Sequence, residues 1–220
     1  THEEMRVIAD VVKEHDLFLV ADEVYREFIY DDEPMGTFCE MEDIKDHVIV
    51  VDSISKRFSA CGARIGSIIS RNREFMAEAM KLCQGRLCTA TLDQTGAAAM
   101  YEHVQPSYFK EVRDEYKKRR DAVVEELNKI PGTKFHTPDG AFYMMVTLPV
   151  DDVEKLQYFL LEEFEDNGDT VMYAPGSGFY ADPDGRSEIR IAYVHNCDYL
   201  RRAIQLLGKG IAAYNAKRGA

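Results

Sequence analysis

One lysine stands among hydroxyls, an arginine and glycines in the segment Asp52-Ser53-Ile54-Ser55-Lys56-Arg57-Phe58-Ser59-Ala60-Cys61-Gly62-Ala63-Arg64-Ile65-Gly66. It follows Val48-Ile49-Val50-Val51, a continuous apolar run that reads as a strand. Hydroxyl and backbone donors beside a guanidinium suit a phosphate, whose oxygens take several charge-assisted hydrogen bonds. A lysine at a dry strand end loses its proton more readily than one in water, and then attacks a carbonyl as a nucleophile. The alternative is a basic surface loop. Two embedded glycines and the flanking apolar strands weigh against it.

Three further features stand at the ends of expected strands, where open α/β sheets place their ligands. Asp22 follows directly on the run Leu17 to Ala21, and Tyr25 comes three residues later. Taken alone, Asp22 is better explained by a solvated strand end or a helix cap. Ala174-Pro175-Gly176-Ser177-Gly178-Phe179 is a glycine-rich loop, a weak signal compatible with an ordinary turn. Arg190 lies between Ile189 and Ile191, so it points to one face of a strand while its neighbours point to the other. There it makes either a core salt bridge or a planar carboxylate clamp.

The elements that must position these residues begin as an alternation of helix and strand. Thr1 and Glu4 have the spacing of a capping box, and Met5, Ile8, Ala9 and Val12 continue at a helical period to about residue 15. Continuous apolar runs at 17–21 and 48–51 suit strands buried on both faces, as in a parallel sheet, and a third strand is expected over 65–69. Residues 72–84 and 91–104 read as helices. A long amphipathic helix opens at Pro106-Ser107 and runs to about Ile130, where Pro131-Gly132 stops it. Beyond it, a strand pair is expected over 133–136 and 142–146, joined through Pro138-Asp139-Gly140. A helix from Asp151-Asp152 to about Asn167, ended by Gly168, short strands near 170–173 and 188–194, and a last helix from Asp198 to Lys217 complete the reading. The pattern implies an α/β unit over 1–105 and an α+β unit over 106–220.

Bulk properties narrow the function. The 220 residues carry 39 acidic and 27 basic side chains, a net charge of -12. An acidic surface repels phosphate backbones, so nucleic acid and anionic membrane are poor partners. The run Lys117-Lys118-Arg119-Arg120 is the one basic cluster, and it reads as the solvated face of a helix. The five cysteines, at 39, 61, 83, 88 and 197, show no metal or redox spacing, as expected of reduced thiols in the cytoplasm. Histidines show no metal spacing either. No apolar run approaches the ~20 residues that span a bilayer. The opening Thr-His-Glu-Glu is polar and acidic, unlike a secretory leader, and starts a helix abruptly without an initiator Met, as expected of a fragment of a longer chain.

Together these segments resemble the fold-type I pyridoxal-phosphate enzymes, specifically the class I/II aminotransferase family. Ser53-x-Ser55-Lys56-x-Phe58-x-x-x-Gly62-x-Arg64-x-Gly66 is similar to that family's cofactor-lysine signature. Asp22-x-x-Tyr25 precedes it, and Arg190 follows it, at family-like distances. Tyr173 to Val194 looks most like prokaryotic-type aspartate aminotransferases. The resemblance implies part of a mostly parallel-sheet large domain followed by a small α+β domain, and a homodimer acting on an amino acid and a 2-oxo acid with pyridoxal 5′-phosphate. Lys56 would hold the cofactor covalently and shuttle a proton, and a buried Asp22 would pair with the pyridine nitrogen. Tyr25 would bond the phenolic oxygen, and Ser53, Ser55 and Arg64 would hold the phosphate. Arg190 would grip the substrate α-carboxylate. The family's glycine-containing phosphate turn, stacking aromatic residue and phenolic-oxygen Asn have no counterpart here, so weak cofactor binding and no turnover are expected of these residues by themselves. The same residues would also serve a pyridoxal-phosphate lyase, an aminocyclopropane-carboxylate-synthase-like enzyme, or a non-catalytic sensor domain of a regulator.

Overall fold

The computed structural model describes residues 1–30, 36–181 and 185–219, which divide into two units, one over Thr1–Glu111 and one from Val112 onward. Both combine helices with sheet, and the chain is of the α/β class expected. Among the described residues no helix is long and apolar enough to cross a membrane.

The first unit opens with α1 (His2–Glu14). The capping box forms as its spacing requires: Thr1 Oγ1 accepts from the Glu4 amide at 3.3 Å, and the Glu4 carboxylate accepts from the Thr1 backbone nitrogen at 2.7 Å. Met5, Ala9 and Val12 line one side of α1 and bury against Ala21, Phe38, Ile44, Val48 and Val50. The strands are β1 (Leu19–Asp22), β2 (Val48–Ser53) and β3 (Gly66–Ile69), in that order across the sheet. β1 and β2 pair in parallel, with Asp22 abreast of Val51. β3 returns antiparallel to β2, with Gly66 abreast of Ser53. The single-turn helix α2 (Ile54–Arg57) lies between them. Two more helices follow, α3 (Arg73–Arg86) and α4 (Thr91–His103).

Burial on both faces of β1 is not observed. Phe18 is 61% and Val20 62% exposed, whereas Ala21 is buried. Alternate residues of a strand face opposite ways, and α1 covers one face only. β3 is exposed along its whole length, and α3 contributes no buried residue.

The long helix α5 (Pro106–Leu127) leads into the second unit. A four-stranded antiparallel sheet follows, ordered β4 (Lys134–Phe135), β5 (Tyr143–Thr147), β7 (Glu188–Ala192) and β6 (Ala174–Pro175). Two helices, α6 (Val153–Glu162) and α7 (Cys197–Arg218), complete it. Its core holds Val123, Leu127, Val146, Leu156, Leu160, Ile189 and Leu207, each at 2% exposure or less.

Three expectations are corrected here. The sixth helix stops at Glu162, not Asn167. Asp166 and Asp169 instead exchange backbone hydrogen bonds at 2.9 and 3.2 Å around Asn167 and Gly168, both with positive φ, which is a tight two-residue turn. The strand expected over 170–173 forms at Ala174–Pro175, where it meets β7 as an edge; proline is tolerated there because its missing N–H breaks no inner ladder. The basic run on α5 is only half solvated. Arg120 is 9% exposed and donates to the Pro138 carbonyl at 2.8 Å, and Arg119 donates to the Val194 carbonyl, so both brace loops.

Candidate cofactor and substrate site

Six of the seven residues singled out lie in the first unit. The ladder brings the carboxyl ends of β1 and β2 side by side and closes with the Glu23 amide donating to the Val51 carbonyl at 3.0 Å. Asp22 ends β1, exposed rather than buried, and its Oδ1 accepts from the Val24 amide at 3.2 Å. Its exposure follows from the face it occupies, the one that α1 leaves open. Tyr25 lies half-buried in the turn 24–27, its ring 6.1 Å edge-on to Phe28.

Lys56 is half-buried on α2, directly beyond β2. Ser53 caps this turn: its Oγ accepts from the Ser55 amide at 3.1 Å, and its own amide donates to Asp52 Oδ1 at 2.7 Å. The Ile54 amide donates to the Ile65 carbonyl at 3.3 Å, which ties the outgoing and returning ends of the loop together. Gly66 faces Ser53 so closely that an added Cβ would stand 3.2 Å from the Asp52 carbonyl oxygen. Arg64 closes a short helical turn over Cys61–Ala63 in the left-handed region, φ 55°, and donates to the Cys61 carbonyl at 2.9 Å. Ser53, Ser55, Lys56 and Arg64 are thus carried by one tied loop, with Asp22 and Tyr25 on the adjacent strand end.

This donor set fits pyridoxal phosphate by type: an amine for an aldehyde, hydroxyls and a guanidinium for a phosphate, a carboxylate for a ring nitrogen, and a phenol for a phenolic oxygen.

Arg190 belongs to the second unit, on β7 between β5 and β6. Among the described residues no carboxylate pairs with it. Its guanidinium lies 4.5 Å from the Phe179 ring and 5.4 Å from the Tyr143 ring. Of the two readings of this arginine, a core salt bridge has no support among the described residues, and its guanidinium lies against aromatic faces instead.

A model of the family described as aminotransferase class I and II matches residues 1–207. The chain belongs to the class I and II aminotransferase family. An aspartate aminotransferase of Sulfurisphaera tokodaii is 31% identical over 211 residues, covering 92% of this chain and 50% of that protein. The aromatic aminotransferase of Pyrococcus horikoshii superposes with a TM-score of 0.84 at 28% identity, over 98% of this chain and 56% of that one. The Pyrococcus horikoshii kynurenine aminotransferase, in complex with PMP, gives 0.83 at 26% identity, over 95% and 51%. The chain spans about half the length of the curated relatives it matches.

Sequence reasoning passed over several residues around the candidate site. Glu23 is 2% exposed and accepts from the Thr37 hydroxyl and the Phe38 amide at 2.9 and 3.1 Å. Asp52 and Arg57 bracket Lys56 with opposite charges five residues apart, a signal that was present in the sequence. Phe179 ends the glycine-rich loop that opens at Ala174. That loop is a short helical turn over Gly176–Phe179, and Gly176 is required because a Cβ there would meet the Glu188 carbonyl oxygen at 2.6 Å.

Proposed function

We propose that this chain carries the cofactor lysine and the substrate-carboxylate arginine of a pyridoxal 5′-phosphate-dependent aminotransferase, which moves an amino group between an amino acid, aspartate or a similar one, and a 2-oxo acid. The carrying observation is Lys56 on a capped single turn at the end of β2, alongside the end of β1 that bears Asp22. The first unit is part of the large cofactor domain and the second is the small domain. The five cysteines, all free, fit a cytoplasmic protein. A homodimer fits the apolar side chains that the first unit leaves exposed, Leu82 and Leu87 among them.

The cofactor, when bound, supplies an electrophilic aldehyde and a ring that takes up electrons as a bond at the substrate Cα breaks. Lys56 Nζ would hold that aldehyde, and its free amine would carry the proton removed from the substrate Cα. Asp22 holds a proton on the ring nitrogen by its negative charge. The Tyr25 hydroxyl donates to the phenolic oxygen. Ser53 Oγ, with the Ser55 hydroxyl and the Arg64 guanidinium, binds the phosphate. Arg190 orients the α-carboxylate through two parallel N–H donors, a geometry that lysine lacks.

Because Asp22 is exposed, its charge is screened by water, so the 220 residues alone bind pyridoxal phosphate weakly and do not turn over. The test is borohydride reduction of the chain with pyridoxal phosphate, followed by peptide mapping. The label is expected on Lys56 and is expected to vanish in Lys56→Ala. A label on another lysine, or none at saturating cofactor, sinks the reading. Product from aspartate and 2-oxoglutarate with this chain by itself would contradict the expected lack of turnover.

A further inference from the structure

We infer that Arg57 is a positioning residue that ties the loop bearing Lys56 to the turn bearing Tyr25, just past Asp22. The inference rests on the assignment of Lys56 above. Arg57 Nη2 donates to Asp52 Oδ2 at 3.0 Å and stands 3.5 Å from Glu27 Oε1. The Arg57 side chain is 14% exposed, Asp52 10% and Glu27 27%, so neither pair is a solvated surface contact.

These partners matter because of where they lie. Asp52 is the last acidic residue of β2, and its other oxygen already holds the Ser53 amide at 2.7 Å. A single carboxylate therefore grips the chain immediately before and immediately after Ser53-Ile54-Ser55-Lys56, a clasp across the turn that carries the amine. Glu27 sits at the end of the turn after β1, where the Phe28 amide donates to the Tyr25 carbonyl at 2.8 Å. The ladder between the two strands runs out at the Glu23 amide and the Val51 carbonyl. Past that point Arg57 spans the two segments. Its guanidinium also lies 5.6 Å from the centre of the Tyr101 ring, which limits its swing. Arg57 Nε is buried and finds no acceptor among the described residues. The two carboxylates and the ring fix the guanidinium. Asp52, Ser53, Arg57, Gly66 and Tyr101 line one cavity of about 400 Å³, so the clasp borders open space beside the lysine loop.

The consequence is geometric. An amine that must meet an aldehyde tolerates little displacement, and the distance from the β1 turn to the β2 turn is set by this side-chain link.

The decisive variant is Glu27→Gln, because it lies outside the lysine's own loop and is mild enough to leave the fold intact. Two readouts are compared across wild type, Glu27→Gln, Arg57→Lys and Arg57→Met. The first is the rate of borohydride labelling of Lys56 at fixed pyridoxal phosphate. It is expected to fall about three-fold in Glu27→Gln and about ten-fold in Arg57→Met, with Arg57→Lys restoring part of the loss. The second is amide hydrogen exchange without cofactor, read on peptides covering 22–30 and 51–60. Both segments are expected to exchange faster in Glu27→Gln and in Arg57→Met, while β5 and β7 exchange as in wild type. Faster exchange confined to the mutated segment, or unchanged labelling in Glu27→Gln, overturns the inference. Should wild type fail to label at Lys56, the cofactor assignment falls, and hydrogen exchange alone still decides whether Arg57 links the two segments.

Discussion

The two units hold their chemistry-bearing residues by different means. In the second, Arg190 sits on a strand with neighbours on both sides, next to Ile189 at 0% exposure. In the first, Lys56 and Asp22 stand at the ends of β2 and β1; β2 is buried on both faces over Val48–Val50, but β1 is covered on one face only and the third strand is exposed throughout. Close packing fixes a side chain through many small contacts, and few alternatives fit. Where cover is thin, specific polar bonds must do it instead: the Ser53 cap, the Asp52–Arg57 clasp and the Glu23 carboxylate holding Thr37 and Phe38. Stability is therefore expected to be uneven along the chain, with the site loops of the first unit opening more readily than the sheet of the second.

The sharpest way to break that contrast is a leucine truncation in the packed unit. Leu160 is fully buried on α6, and Gly210 of α7 approaches it so closely that a Cβ there would meet Leu160 Cδ2 at 2.2 Å. Leu160→Ala leaves a void between two helices that cannot draw nearer, and is expected to cost about 2–5 kcal/mol in urea unfolding followed by circular dichroism. A cost below about 1 kcal/mol would mean that this core adjusts freely and that its rigidity has been overstated.

The contrast also explains how much was legible in the sequence. Helix α1 was readable to its cap because Thr1, Glu4 and the spacing of Met5, Ala9 and Val12 are local signals. The lysine loop was readable because hydroxyls, amine, guanidinium and glycines fall within fifteen consecutive residues. Two-sided burial of β1 was misjudged because a continuous apolar run fixes what a strand prefers and not what covers it; Val20 and Phe18 have the right character and no cover. The helix expected to reach Asn167 ends at Glu162, and the segment beyond it is held by tertiary partners. Arg202 and Lys209, some 36 and 43 residues along, reach Asp166, and no local pattern announces them. The contact of Phe179 was not legible for the same reason, since it depends on Arg190, which lies on β7 beyond its own turn.

That Asp166 latch gives a second and smaller test, through pH. Hydrogen bonds from Lys209, then from Arg202, hold the Asp166 carboxyl below the ordinary aspartate value of 3.8. A carboxyl whose folded value is depressed contributes stability that is fully present above its unfolded value and is lost as the pH falls through the folded one. Asp166→Asn is therefore expected to be less stable than wild type at neutral pH, and the gap should close progressively below about pH 4. A gap that stays constant down to pH 2 would mean that the turn at Asn167 and Gly168 stands by its backbone geometry and the ion pairs add nothing. The same latch lies only in the packed unit, so amide exchange around Lys56 should not respond to this substitution at any pH.

The smallest effect is the most discriminating, because it uses the same substitution in the other unit. Leu82 lies on α3, which buries no residue, and is 77% exposed. Leu82→Ala removes the same atoms as Leu160→Ala but takes almost nothing out of contact, and alanine is the better helix former. The expected change in urea unfolding is within about 0.5 kcal/mol of zero. A loss of several kcal/mol would show that Leu82 is covered in solution. A second copy of the chain is then the first occupant to test, by sedimentation of wild type against Leu82→Ala across protein concentration. Loss of stability together with loss of a dimer would mean that the thin cover of the first unit is made good between chains. Loss of stability in a chain that stays monomeric would instead point to packing of α3 within the chain itself, and the contrast between the two units would have to be withdrawn.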